Sequence, residues 1–320
     1  MLYLKMWTTY QNIIYYIPQS YNPLSIDKVA IFDLDGTLIT RLNGSNPKYP
    51  EKNSSNWIFL GDIETEFENL YLNKYQLIIL TNQLKFNNIT FDKIKQIQKT
   101  LNKLDVIFFI SLKDDIYRKP NLGIFEILNI DITLIKDGFV CGDAIGEDDP
   151  YPPYRWSSVD YLFYQNLNIL NSNIKFIRPI DLFESNISDV IDYCYNIDVI
   201  IMMGNMGSGK STFSKSFYSR VIIESDLFKN KNKMFKVAEE NLINNKKIVI
   251  DATNFSKEKR KVWIDLAKKY SKSYLIVFSI KDGRPFNQLR EKKIPEIAYA
   301  TYSKNFENVD DEEGNFVWIW

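Results

Sequence analysis

The sequence lacks histidine altogether and has only two cysteines, Cys141 and Cys194. The absence of histidine excludes zinc and haem sites with imidazole ligands, a serine–histidine–aspartate triad and any histidine general base. Proton transfer must therefore use carboxylates, lysine, tyrosine or water. Two cysteines cannot form a disulfide framework or a four-thiolate metal site, so we expect a reducing, intracellular compartment, cytoplasmic or nuclear.

Long hydrophobic runs and an excess of charge are also missing. No apolar run approaches the roughly 20 residues that a membrane-spanning helix needs, and polar residues interrupt the first segment, MLYLKMWTTYQN, so that it does not resemble a signal peptide. The 40 basic and 40 acidic residues cancel. This balance argues against a protein that coats long nucleic acids by bulk electrostatics, but it leaves room for a local basic groove.

The chain has 320 residues, a length typical of about two domains. Two short apolar runs, Val29–Phe32 and Val199–Met203, have the length and composition of buried parallel strands. Around each of them, strand-like segments alternate with helix-like segments, which predicts two α/β domains with parallel sheets. We place the boundary within 183–197 and predict domains at 1–185 and 186–320.

Carboxylates, a hydroxyl and a lysine follow the predicted strands of the first half. Asp33 and Asp35 come directly after the first apolar run, and their spacing of two places both on one side of the chain. Two such carboxylates repel each other, and a divalent cation, Mg²⁺ if the substrate is a phosphate, relieves the repulsion. Later segments add further candidates: Thr81, Lys119 and Asp143. The set fits phosphoester hydrolysis through an aspartyl-phosphate.

The second half contains a complete phosphate-binding loop pattern, G-x-x-x-x-G-K-[ST], at Gly204–Ser211. It follows a predicted strand and precedes a predicted helix, which is the structural context that the motif requires. We expect Lys210 to contact the β- and γ-phosphates of ATP and the Ser211 hydroxyl to bind Mg²⁺. The other candidate nucleotide-binding residues are Gly204, Gly207, Ser208, Gly209 and Thr212.

Acidic and basic residues beyond this loop indicate phosphoryl transfer. Asp226 follows a strand and could take the proton from an acceptor hydroxyl. Asp251 also ends a strand, and we consider a metal-water or acceptor contact and a helix-capping role equally plausible. Arg284 and Arg290 lie in one short segment that we predict to be a lid, in which guanidinium groups stabilise the transferring phosphoryl group.

The motifs together resemble a known family. The segments Phe32–Thr40, Thr81–Gln83, Arg118–Pro120 and Gly142–Ala144 are similar to haloacid-dehalogenase (HAD-like) phosphatases, and Gly204–Phe213 is similar to P-loop kinases. A phosphatase followed by a kinase resembles the polynucleotide kinase 3′-phosphatase family. The resemblance implies that Asp33 is the nucleophile and Asp35 the general acid and then base. It also implies that Asp33, Asp143 and the carbonyl of Asp35 bind Mg²⁺.

The resemblance further implies that the protein removes 3′-phosphates and phosphorylates 5′-hydroxyls at broken strand ends, with ATP as donor. DNA is the favoured substrate because the phosphatase comes first, and a ligase would act downstream. RNA ends, or a fused phosphatase and kinase for small molecules, remain alternatives. Since the catalytic motif begins at Asp33, we expect no forkhead-associated domain. Trp57 is the best candidate for stacking on a base. Gln288 and the acidic stretch 147–149 depart from the family pattern.

Overall fold

A computed structural model describes residues 7–45, 50–146, 157–183, 185–287 and 290–320; of Pro285, only the backbone is described. The acidic stretch 147–149 and Gln288 lie outside these residues. The chain divides into two compact units, the first Met1–Thr40 with Pro47–Glu184 and the second Arg41–Asn46 with Ser185–Trp320. Across the described ranges, no helix combines the length and the apolarity required to cross a membrane.

The first unit is built on a seven-stranded sheet in the order β1-β2-β7-β6-β3-β8-β9, and a separate pair of strands, β4 and β5, is antiparallel. Its strands are β1 (Thr8–Tyr10), β2 (Ile13–Tyr16), β3 (Lys28–Phe32), β4 (Ile39–Thr40), β5 (Ile58–Phe59), β6 (Gln76–Asn82), β7 (Ile107–Ser111), β8 (Asp137–Cys141) and β9 (Ile174–Ile177). Its helices are α1 (Ile63–Leu72), α2 (Asn88–Thr100), α3 (Ile124–Leu128), α4 (Val159–Leu170) and α5 (Pro179–Leu182).

The sheet of the first unit is mixed, so the prediction of a wholly parallel sheet is wrong at one edge. The five strands from β7 to β9 are parallel, but β2 runs antiparallel to both β1 and β7. β1 and β2 are joined by only two residues, Gln11 and Asn12, and so short a connection permits only an antiparallel pair. A search for apolar runs misses this hairpin because β1 and the connection contain polar residues, among them Thr8, Thr9, Gln11 and Asn12.

The central strand β3 is buried on both faces because alternate side chains enter two different cores. Ala30 and Phe32 pack with α1 and α2, while Val29 and Ile31 pack with α3 and α4. This arrangement explains why the strand is apolar without interruption. It also places the first polar residue after the strand, Asp33, at the carboxyl edge of the sheet, where ligands bind in folds of this class.

The second unit is a five-stranded parallel sheet in the order β11-β12-β10-β13-β14. Its strands are β10 (Val199–Gly204), β11 (Val221–Glu224), β12 (Ile248–Asp251), β13 (Tyr274–Ser279) and β14 (Phe316–Ile319). Its helices are α6 (Ile187–Cys194), α7 (Lys210–Lys215), α8 (Lys231–Ile243), α9 (Lys257–Lys269), α10 (Arg284–Asn287) and α11 (Glu296–Lys304). The central strand β10 is again entirely buried. The predicted α/β class is therefore confirmed in both units.

Candidate active sites

Three carboxylates gather at the carboxyl edge of the first sheet. Asp33 follows β3, Asp143 follows the neighbouring strand β8, and Asp160 lies in the first turn of α4. Each offers one carboxylate oxygen, and the three oxygens lie within 4.8 Å of one another. The backbone N–H of Asp33 donates to the carbonyl of Cys141 at 2.9 Å, which keeps the chain next to β8 beyond the end of β3.

Lys119 is the cation of this cluster. Its Nζ lies 2.5 Å from Asp33 Oδ1 and 2.7 Å from Asp160 Oδ1, and its side chain is only 3% exposed. Burial by itself lowers the pKa of Lys119, but the Asp160 and Asp33 carboxylates outweigh burial and hold the pKa above its ordinary value. Lys119 therefore stays charged and holds Asp33 in a fixed position.

The charge balance of the cluster fits a divalent cation. Burial is the main cause that raises the pKa of Asp33 to about 7, with Lys119 opposing it and Asp160 adding to it. Burial and the charges of Asp33 and Asp160 also raise the pKa of Asp143. Among the described residues, three carboxylates thus face a single lysine, and oxygen ligands at this spacing suit a hard cation such as Mg²⁺. Asp33 and Asp143, with Asp160 as a third possible ligand, could hold it.

Asp143 is fixed by the turn that follows Asp35. Gly36 has φ +95°, and a Cβ on it would lie 2.4 Å from Asp143 Oδ2, so only glycine leaves room for this carboxylate. The buried Thr37 hydroxyl donates to Asp143 Oδ1 at 3.2 Å. The sequence Asp35-Gly36-Thr37 therefore does two things: it supplies the Asp35 carboxylate, and its glycine and threonine position the Asp143 carboxylate.

Asp35 is held apart from the cluster by a separate set of partners. Lys93 Nζ lies 2.7 Å from Asp35 Oδ1, and Gln83 Nε2 donates to Asp35 Oδ2 at 2.6 Å. The same amide donates to the Thr81 hydroxyl at 2.9 Å, which leaves the Thr81 O–H available as a donor. Asp33 and Asp35 therefore point to different neighbours, one to the carboxylate cluster and the other to a lysine and an amide.

The phosphate-binding loop of the second unit connects β10 to α7. Gly207 and Gly209 adopt positive φ angles, which curve the loop tightly. Ser211 and Thr212 are exposed in the first turn of α7. Ser208 is buried, and among the described residues its Oγ has no hydrogen-bond partner. A phosphate oxygen would supply such a partner.

Lys210 is buried among groups of both signs. Its Nζ donates to the carbonyl of Asn205 at 2.5 Å. Burial lowers the pKa of Lys210 to about 8. Asp251 and Asp226 oppose this shift, and Arg290 adds to it. Asp251 ends β12 and is buried, whereas Asp226 is exposed in the turn that follows β11.

The two arginines of the predicted lid have different environments. Arg290 is exposed and acts electrostatically on Lys210. The Arg284 side chain is only 9% exposed, its Nη1 lies 3.2 Å from Asp282 Oδ1, and its guanidinium lies 5.0 Å from the centre of the Tyr299 ring. Arg284 therefore already has partners within its own unit. The joint action of both arginines as a lid stays a prediction.

Comparison with known proteins agrees with this geometry. A family model described as polynucleotide kinase 3 phosphatase matches residues 28–183, and one described as an AAA domain matches 199–293. The chain belongs to the polynucleotide phosphatase/kinase family. The resemblance stated from the motifs is thereby confirmed, as is the fold class, a HAD-like phosphatase domain followed by a P-loop kinase domain. The protein is therefore an enzyme that contains a phosphatase domain and a kinase domain.

Three relatives show the extent of the similarity. A putative bifunctional polynucleotide phosphatase/kinase of Acanthamoeba polyphaga mimivirus is 29% identical, over 90% of this chain and 82% of its own. A bifunctional polynucleotide phosphatase/kinase of Schizosaccharomyces pombe is 29% identical, over 90% of this chain and 78% of its own. An uncharacterized 20.8 kDa protein of Autographa californica nuclear polyhedrosis virus is 30% identical, over 51% of this chain and 92% of its own.

Two residues that contact the candidate site residues, Lys93 and Asn205, could not be identified from sequence motifs. Lys93 lies on α2 and carries no motif signal, and it becomes conspicuous only once the helix is known, because it is buried on the same helix as Ile94 and Ile97. Asn205 is a variable position of the loop pattern, although its carbonyl accepts from Lys210. Sequence position alone does not indicate either contact.

Trp57 is packed rather than open. Its indole N–H donates to Gln96 Oε1 at 3.4 Å, and its ring meets Phe59 edge to face with centroids 5.2 Å apart. The ring also packs against the hydrophobic core. Packing thus accounts for the position of Trp57, and its selection as a base-stacking residue gains no support from this geometry.

Proposed function

We propose that the protein repairs broken nucleic-acid strand ends by removing a 3′-phosphate in its first unit and phosphorylating a 5′-hydroxyl in its second. DNA ends are the favoured substrate. The observation that carries the proposal is that one chain holds both a lysine-bridged carboxylate cluster and a phosphate-binding loop with a buried lysine. The products, a 3′-hydroxyl and a 5′-phosphate, are the ends that a ligase joins.

In the phosphatase reaction, Asp33 is the nucleophile. Lys119 holds one of its oxygens, so the other attacks phosphorus and forms an aspartyl-phosphate, while the bond to the 3′-oxygen breaks. Asp35 donates a proton to that leaving oxygen and later takes one from the water that hydrolyses the intermediate. Thr81 donates to a phosphate oxygen. Bound Mg²⁺ would neutralise phosphate charge.

In the kinase reaction, the loop from Gly204 to Ser211 encloses the phosphates of ATP. Lys210 contacts the β- and γ-phosphates, and the exposed Ser211 hydroxyl suits a nucleotide-bound Mg²⁺. Asp226, exposed near Lys210, takes the proton from the 5′-hydroxyl as it attacks the γ-phosphorus. Arg290 is the better placed of the two arginines to meet the transferring group, because Arg284 is already bound.

A doubly blocked oligonucleotide tests the proposal. A strand with a 5′-hydroxyl and a 3′-phosphate is incubated with Mg²⁺ and γ-labelled ATP, and both ends are followed by gel electrophoresis and phosphate release. We expect label at the 5′-end and loss of the 3′-phosphate. Matched DNA and RNA strands decide the substrate, and a strong preference for RNA would reverse that part of the proposal. Equal activity on a nucleoside 3′-monophosphate would favour a small-molecule enzyme.

Lys93→Met tests the separate environment of Asp35. Because Lys93 Nζ is buried and lies 2.7 Å from the Asp35 carboxylate, its removal leaves the acid/base group poorly oriented. We expect the phosphatase kcat to fall by about 10- to 100-fold, part of what a positioned acid or base contributes. Steady-state kinetics on a 3′-phosphorylated oligonucleotide measure the effect.

Lys95→Met is the matched control for this experiment, since Lys95 lies on the same helix but is exposed and pairs with Asp92. It should leave kcat unchanged. Lys93→Arg should restore part of the activity because it retains the positive charge. Equal rates for Lys93→Met and Lys95→Met would show that Asp35 does not depend on Lys93.

ATP binding should weaken at alkaline pH. The pKa of Lys210 is lowered to about 8, so below pH 8 the side chain carries the charge that attracts phosphates, and above pH 8 the free protein loses it. We expect the Kd for ATP without Mg²⁺ to be about tenfold higher at pH 9 than at pH 7.5. Isothermal titration calorimetry measures this Kd. The Lys210→Arg protein keeps its charge, so its Kd for ATP should change little between pH 7.5 and pH 9. An equal pH dependence of Kd in both proteins would contradict the assignment of this titration to Lys210.

A further inference from the structure

The short segment 41–46 belongs to the second unit, although it directly follows β4 of the first unit in sequence. Residues 41–45 of this segment are described. In sequence, the larger part of the first unit, Pro47–Glu184, separates this segment from the remainder of the second unit. Residues 41–46 are thus close in sequence to the phosphatase motif but pack with the second unit, so their contacts there bear on the kinase site.

The carbonyl oxygen of Gly44 accepts two hydrogen bonds from side chains of the second unit. It accepts from Arg284 Nη2 at 2.6 Å and from Ser303 Oγ, on α11, at 3.0 Å. Gly44 has φ +59°, and a Cβ there would lie 2.8 Å from Asn205 Nδ2. Gly44 therefore touches both the arginine at the start of α10 and the first variable residue of the phosphate-binding loop.

Asn205 and Arg284 each connect Gly44 to the phosphate-binding loop. The Asn205 side chain accepts from the backbone N–H of Met206 at 2.8 Å, and the Asn205 carbonyl accepts from Lys210 Nζ at 2.5 Å. On the other side, Arg284 follows Gly283, whose carbonyl lies 2.6 Å from the place where a Cβ on Gly207 would stand. A shift of Gly44 would therefore reach Lys210 through Asn205.

Asn205 and Arg284 are also incompletely satisfied. Asn205 is 3% exposed, and its Nδ2 has no hydrogen-bond partner among the described residues; the same holds for the buried Nε of Arg284. Two buried polar groups with spare donors, both in contact with Gly44, depend on close packing to keep their positions.

We propose that residues 41–45 are a positioning element of the kinase site, in which Gly44 holds Asn205 and Arg284 so that Lys210 is aimed at the phosphates of ATP. This inference rests on the kinase reaction proposed above and adds to it a part that no motif marks. Gly44 acts through other residues and does not itself touch the substrate.

Ser303→Ala tests the inference with little risk to folding, because it removes one donor to the Gly44 carbonyl. We expect the KM for ATP in the kinase reaction to rise about three- to tenfold, the usual effect of losing one hydrogen bond. Ser303→Thr keeps the hydroxyl and should remain near the wild-type value. Thr301→Ala is the matched control. The Ser303 hydroxyl also donates to the carbonyl of Tyr299, one helical turn earlier, and the Thr301 hydroxyl donates in the same way to the carbonyl of Ile297, with no hydrogen bond to Gly44 within the described ranges.

Gly44→Ala is the stronger variant, because the added methyl group meets Asn205 and the positive φ is strained. We expect its KM for ATP to rise by about tenfold or more, and its combination with Ser303→Ala to be less than additive, as for neighbours that act on one group. A loss of folded protein lowers kcat without changing KM, so KM separates positioning from instability. Removal of 3′-phosphates serves as an internal reference and should be unchanged.

The outcomes are distinct. A wild-type KM for ATP in both Ser303→Ala and Gly44→Ala would overturn the inference while leaving the kinase proposal intact. Equal losses in the kinase and phosphatase reactions would also overturn it, because the segment would then not act on the kinase site specifically. Wild-type protein without kinase activity would overturn the proposed function itself.

Discussion

Asp33→Ala is expected to lower the rate of 3′-phosphate removal by at least about a thousandfold, because no other described group can form the covalent intermediate in its place. Asp143 and Asp160 belong to the same cluster, but they extend from β8 and α4 and occupy other positions in it. Labelling of a 5′-hydroxyl by the same variant should stay within about twofold of wild type, since the phosphate-binding loop belongs to the other unit and shares no residue with the carboxylate cluster. Release of inorganic phosphate and 5′-labelling, measured on one oligonucleotide, give both rates.

Two further variants make this result specific to the nucleophile. Asp33→Asn keeps the shape of the side chain and should be equally inactive as a phosphatase. Asp27→Ala removes an exposed aspartate of the same unit that pairs with Lys136, and it should retain full activity. Loss of both activities by a folded Asp33→Ala protein would contradict the two-site description.

Lys210→Ala should have the opposite effect. The lysine is buried in the phosphate-binding loop and its pKa is lowered to about 8, so at neutral pH it brings a poorly solvated positive charge to the phosphates. Removal of such a preorganised charge costs about 100- to 1,000-fold in rate. We therefore expect 5′-phosphorylation to fall by that factor while 3′-phosphate removal is unchanged.

Lys215→Ala is the control for this variant because it alters an exposed lysine at the end of the same helix, α7. It should behave as wild type in both assays. If Lys210→Ala lost 3′-phosphatase activity while its thermal unfolding remained that of wild type, the assignment of one reaction to each unit would be wrong.

The central strands and the residues that end them are the most predictable part of the protein. β3 and β10 are continuous apolar runs because helices cover both faces of their sheets, and polar residues appear where each strand reaches the carboxyl edge. The N-terminal hairpin and the terminal strands β9 and β14 were not predicted. These strands lie at the edges of the sheets or next to them, where one side is less covered, so their sequences need not be uniformly apolar.

The sequence by itself determined the chemistry of the chain: without histidine and with few cysteines, it had to rely on carboxylates and lysines, and the two motifs indicated phosphate in each half. Only the tertiary structure decided how those groups pair. It brought Lys119 to Asp33 and Lys93 to Asp35, paired Arg284 with Asp282 while leaving Arg290 exposed, and added Gly44 to the second unit. Motifs are local in sequence, whereas ion pairs join residues from different strands and helices, and their partners are set by how those elements pack.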